Sequence, residues 1–282
     1  MSDAGYFGPE SVFWQVNKEM YSLFGGARAL LMQAAHPLVS AGARQTSFYA
    51  RDPWKRLIRT VQLQLIIAFG SKDEANRTAD RINLLHETIK GIDPVTGMHY
   101  DALDHDLLLW VHATLEESSL LMYESLVRPL SVEERNQYHQ ENLISAELIL
   151  LPREQVPPTF EDTVEYIDGV VKGNELLLTD VALEVYNLMK GGPVPYHTKP
   201  VWQFVAFAAR GTLPPELQDL FNIKWDSKRQ KVLDANFKML RRTHRFIPDR
   251  FRTVRPAVWA ERRMAGEDVD MIQKARRARR HL

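Results

Sequence analysis

Three groups of side chains in this sequence could do chemistry that packing alone does not call for. His86 falls in the stripe Ala75, Ala79, Ile82, His86, Ile89, whose steps of four and three mark one buried face of a helix. An imidazole there needs a partner, because an unpaired buried polar group costs on the order of 1–3 kcal/mol. A backbone carbonyl is one answer, and for an isolated histidine the better one. A metal is the other, since histidine is the commonest metal ligand and binds through a neutral ring nitrogen. The second group is Arg56, Arg59 and Thr60: Arg56 and Thr60, four apart, share a helical face, and Arg59 lies beside them. A cationic and hydroxyl face aimed at the same interior suggests an anionic or oxygen-bearing guest. The third is His112 with Glu116, again four apart on an apolar face, a pair that either binds a metal or sits at the stripe's edge. His36, before Pro37, reads equally as a helix-end histidine and as a pocket residue.

Two helices must carry the first two groups. One takes Asp52 as N-cap and Pro53 as its first residue and stops at Gly70. The next opens on Ser71 and Glu74, spaced as a capping box, and is expected to stop at Gly91. Further helices are expected over Pro9–Leu23, Ala27–Ala35 and Pro37–Arg44, then from Asp104 to Val127 and from Ser131 to Leu150. Others follow from Thr159 to Lys172, Leu176 to Lys190, Pro200 to Arg210, Pro215 to Phe221 and Asp226 to Arg245. Pro256–Ala265 and Val269–Arg280 complete the series. No alternating strand and no internal repeat is evident, which predicts an all-α, single multi-helix domain with a basic helical tail.

In order, Gln33-Ala-Ala-His-Pro37, Asp52-Pro with Arg56-x-x-Arg-Thr60, Phe69-Gly70, His86 with Gly91, Tyr100 and Trp110-Val-His-Ala-Thr-Leu115 resemble one family. It is that of the latex-clearing rubber oxygenases and the fungal oxygenase of mycophenolic acid biosynthesis. The resemblance covers roughly residues 5 to 245. It implies a globin-like core with extra helices that binds haem b, with His86 as the axial iron ligand. Arg56 and Thr60 match the pocket Arg and Thr, Arg59 stands where those enzymes have a Lys, and His36 and His112 are further candidates for the haem pocket. The implied reactants are molecular oxygen and an organic substrate. The rubber oxygenases also carry an acidic base upstream of their Arg, whereas no Asp or Glu occurs here between Glu19 and Asp52. A small apolar substrate, isoprenoid- or polyketide-like, is therefore expected in place of polyisoprene. A haem-binding sensor or carrier without turnover, and a cofactor-free helical interaction protein, stand as alternatives.

Composition sets the outer bounds. The 282 residues are 45% hydrophobic, the level of an ordinary globule with a sizeable core. There is no cysteine, so disulfides, iron–sulfur clusters and thiolate-held haem are excluded. The absence of a long apolar run and of a basic-then-apolar N-terminus leads to the expectation of a cytoplasmic protein without a transmembrane segment. No Glu-x-x-His pair supports a di-iron bundle, and no Gly-rich phosphate loop or Gly-x-Ser-x-Gly elbow is present. Formal charge is zero, but residues 241–282 hold 13 basic against 5 acidic side chains, and the remainder is net −8. The expected division is a helical oxygenase-like domain over 5–245 and a basic tail over 246–282. That tail is read as a solvated helix with a possible peripheral contact, and nothing in it suggests a nucleic-acid reader.

Overall fold

The computed structural model describes residues 3–46, 53–191, 194 and 196–279, and of residues 53–57 and 279 the backbone alone. The expected cap Asp52 lies outside the described residues. Fifteen α-helices account for nearly all regular structure among them, and the chain is all-α. They are α1 Val12–Asn17, α2 Gly25–Ala35, α3 Pro37–Gln45, α4 Pro53–Phe69, α5 Lys72–His86, α6 His105–Leu126, α7 Val132–Leu148 and α8 Phe160–Lys172. After them come α9 Asp180–Gly191, α10 Lys199–Gly211, α11 Pro215–Leu220, α12 Ser227–His244, α13 Asp249–Arg252, α14 Arg255–Met264 and α15 Met271–Arg279.

The caps anticipated from sequence form. Ser71 and Glu74 make a reciprocal capping box on α5, as do Ser131 and Glu134 on α7 and Thr159 and Asp162 on α8. Asp104 and Asp226 cap α6 and α12.

Three expectations are corrected. The single helix over Pro9–Leu23 is α1 followed by a separate 3₁₀ turn, Met20–Phe24. The helix expected to run to Gly91 ends at His86. The residues beyond it form β1, Lys90–Ile92, antiparallel to β2, His99–Asp101. Gly91 pairs with Tyr100, and a Cβ on Gly91 would meet the phenol oxygen at 2.9 Å, so the glycine serves the hairpin rather than a helix stop. The tail is not a solvated helix: Ala257, Ala260, Val269, Met271 and Ala275 are buried in one core with Phe7, Phe13, Trp14, Phe69 and Tyr138.

The helix α6 is the axis of the fold. It packs along α2 and touches α1, α7, α8 and α12. A second core forms around it from Leu31, Met32, Trp110, Val185, Met189 and Ala209. No helix among the described residues is long and apolar enough to cross a membrane.

Candidate functional site

The helices α4 and α5 pack on each other and meet at Gly70, so the Arg-x-x-Arg-Thr segment and His86 lie on neighbouring elements, as the sequence required. The side chain of Arg56 lies outside the described residues. Arg59 is half-buried and Thr60 exposed, so they stand at the edge of the packed interior rather than within it.

His86 occupies the last turn of α5. It is half-buried, and burial lowers its pKa below 6.5, which keeps the ring neutral near pH 7. Its Nδ1 is buried without a hydrogen-bond partner among the described residues. One turn earlier, Asn83 donates from Nδ2 to the Leu148 carbonyl of α7 at 2.9 Å, while its Oδ1 is buried and unpartnered. Ser145, a turn before Leu148 on α7, also has a buried, unpartnered hydroxyl. Asn83 thus ties α5 to α7, and each of the two helices carries buried polar atoms without a partner among the described residues. Asn83, Ser145 and the equally unpaired Gln62 of α4 were missed in the sequence. Their signal was available: each is a polar residue within an otherwise apolar helical stripe.

His36 ends α2 and precedes Pro37 at the start of α3. Burial lowers its pKa, partly offset by Glu175 and Asp104, and its Nδ1 is also unpartnered. Its ring lies 6.4 Å from that of Trp110, whose Nε1 is likewise buried without a partner among the described residues. Next to this corner, Pro37, Ala41, Arg44, Asp93, Tyr100 and Thr179 border a cavity of about 420 Å³. His36, Arg59, Thr60, His86 and His112 are not among its walls.

His112 belongs to a different arrangement. Its Nε2 accepts from Asn142 Nδ2 at 3.4 Å and lies 3.6 Å from Glu116 Oε2. Glu116 is fully engaged on its other oxygen: His139 Nδ1 meets Oε1 at 3.0 Å. The far nitrogen of His139 meets the Pro157 carbonyl at 2.8 Å. Both ring nitrogens of His139 therefore face acceptors. Burial opposes the charge, but the bond to Glu116 and the Pro157 carbonyl together raise the pKa above 6.5 and hold an imidazolium against a carboxylate. His112 itself is pushed down, first by burial, with the positive His139 adding to the effect. No group of three or more His, Asp or Glu among the described residues is arranged to hold a metal ion. Nothing local in the sequence marks His139, because its partner, Glu116, is 23 residues away.

A haem fits part of this set. Iron is commonly held by histidine, and the chain has no cysteine to compete. The neutral, unpaired imidazole of His86 meets that requirement; His112, whose Nε2 accepts from Asn142, does not.

Two mycobacterial proteins, one of Mycobacterium bovis and one of Mycobacterium tuberculosis, are each 24% identical to the chain over 240 residues. The match covers 79% of this chain and 89% of each of theirs, and both bear the name uncharacterized protein. No solved structure matches. Residues 14–247 match the model of the ER-bound oxygenase mpaB/B′ and rubber oxygenase catalytic domain, and so the chain belongs to that oxygenase family.

Proposed function

We propose that the protein is a haem b-dependent oxygenase of small apolar substrates, in which His86 would hold the haem iron. The observation that carries this reading is the state of His86: a neutral imidazole with a buried, unpaired nitrogen, on a helix of an oxygenase-family domain. When bound, haem supplies the capacity to activate molecular oxygen. The chain's own residues hold and orient. His86 would hold the iron from the end of α5. Arg59, half-buried at the edge of the packed interior, would offer a carboxylate a charge-assisted bond, and the exposed Thr60 hydroxyl lies one residue on; Arg56 is assigned to the same role from the sequence motif. His36 and Trp110 carry two further buried nitrogens without a partner among the described residues.

The test is a haemin titration of purified protein followed by its absorption spectrum. A Soret band that is present in the wild type and lost in His86→Ala is expected, followed by oxygen uptake with a panel of isoprenoid and polyketide compounds. Haem uptake without oxygen consumption by any of them would leave a carrier or sensor. A Soret band untouched by His86→Ala would remove the assignment of the ligand.

A further inference from the structure

A strongly basic stretch covers α12, α13 and the first residue of α14. Residues 227–255 carry ten Lys and Arg against two Asp, a net of +8, in a chain whose total is zero. Among the described residues only Arg252 of the ten is ion-paired, to Glu19 and Asp249. Lys231, Lys238, Arg242, Arg245 and Arg250 are all exposed.

The helix has two faces with separate uses. Leu233, Phe237, Leu240 and His244 form the inner stripe, at steps of four, three and four, packed with Met122, Leu126 and Ala208. On the outer side Val232 and Met239 are seven residues apart, and Phe246, seven further on, follows the helix end. These three are 53%, 54% and 71% exposed, and Phe251 of α13 is 60% exposed. An exposed leucine or valine alone needs no explanation, but two exposed phenylalanines following an exposed valine and methionine, among cations of which only Arg252 is ion-paired, form a composed surface.

We infer that this face lies on an anionic lipid bilayer, with Val232, Met239, Phe246 and Phe251 in the interfacial layer and the surrounding Lys and Arg against the headgroups. An amphipathic helix with basic residues flanking an apolar line binds membranes in this way, in the plane of the surface and without spanning it. Nucleic acid shares the negative charge, but the surface is poorly made for it. The guanidinium carbons of Arg245 and Arg250 sit 4.7 Å from the ring centres of Phe246 and Phe251, covering the faces on which bases would stack. Val232 and Met239 would gain nothing from a phosphate backbone.

The experiment is flotation of the full-length protein with phosphatidylcholine vesicles, with and without about 30% phosphatidylserine, at about 0.15 M salt. Binding to the anionic vesicles alone is expected, with loss of binding in about 1 M salt. In the double variant Phe246→Ser/Phe251→Ser, binding should fall roughly tenfold or more with the thermal midpoint unchanged, since neither ring is in the core. In Arg242→Gln/Arg245→Gln it should fall roughly fivefold for each charge removed. Absence of binding to anionic vesicles overturns the assignment, and so does binding that the phenylalanine variant leaves intact. Capture of a single-stranded oligonucleotide that the arginine variant abolishes, with vesicles ignored, reassigns the face to nucleic acid and overturns it as well. None of these readouts depends on haem.

Discussion

A carboxylate and an imidazolium that have both left water behave unlike a surface ion pair. Glu116 and His139 have fully buried side chains, and each compensates the other's charge. Removing one partner leaves the other charged and unsatisfied, which costs about 3–5 kcal/mol in buried pairs. Glu116→Gln or His139→Gln should lower the unfolding free energy by that order in urea melts at pH 7. The pair also makes a signed pH prediction. The pKa of His139 is raised in the folded state, so its contribution is complete below about 6.5 and is lost as pH rises through the folded value. His36, His86 and His112 have the opposite sign. Burial lowers their pKa values, so the unfolded chain takes up protons first, and stability falls as pH drops below 6.5. Urea midpoints measured from pH 5 to pH 9 should therefore peak between the two limbs. His139→Gln should flatten the alkaline limb alone, and His86→Ala should weaken the acid limb.

At the scale of elements, the relation between α4 and α5 is decided at the corner Phe69–Ser71, and three remote segments fasten it. Arg263 donates from Nη2 to the Phe69 carbonyl, one of the last orphan acceptors of α4, and from Nε to the Asp3 carbonyl, both at 2.9 Å. Asp3 in turn accepts from the Lys72 amide at 2.8 Å. Glu74 closes its capping box on the Ser71 amide with one oxygen and accepts the Met271 amide at 2.6 Å with the other. Gly5 is the joint that lets the N-terminal segment lie so close: its φ is +83°, and a Cβ there would come within 2.3 Å of the Gly70 carbonyl. Arg263→Met should cost about 1–3 kcal/mol by leaving two carbonyls unpaired. It should also speed amide exchange along α5 while leaving α6 protected, which hydrogen exchange with peptide-level resolution would register. The capping box at this corner was legible, because Ser71 and Glu74 are three apart and each supplies what the other's backbone lacks. Arg263 was not, since its partner is 194 residues away and nothing local distinguishes it from its basic neighbours. The hairpin was hidden for another reason: strands of three residues are too short to show alternation. The apolar stripe that overran His86 did so because Ile89 is buried too, but from a turn.

At the scale of the whole molecule, the family match ends at residue 247, yet α14 and α15 lie against α4 and supply part of its core. Their entry is pinned at a second point, where Glu19, 3% exposed, bonds both His244 and Arg252 and Val254 hydrogen-bonds the Lys18 carbonyl. The expected boundary near 245 thus falls between segments that fold onto one another. Ending the chain after residue 247 should expose Phe69, Trp14 and Phe7, detectable as dye binding to apolar surface and a broadened thermal transition. The all-α class was readable from caps and stripes, whereas the mutual burial of first and last segments leaves no periodic trace in either.

The clasp between Asp3 and Arg263 also has a consequence for biosynthesis. A contact between residues 260 positions apart cannot form on a nascent chain until Arg263 has left the ribosome. At about 5–20 residues per second, some 13–50 s separate the first emergence of Asp3 from its partner's arrival. Throughout that interval the corner between α4 and α5 goes without this clasp.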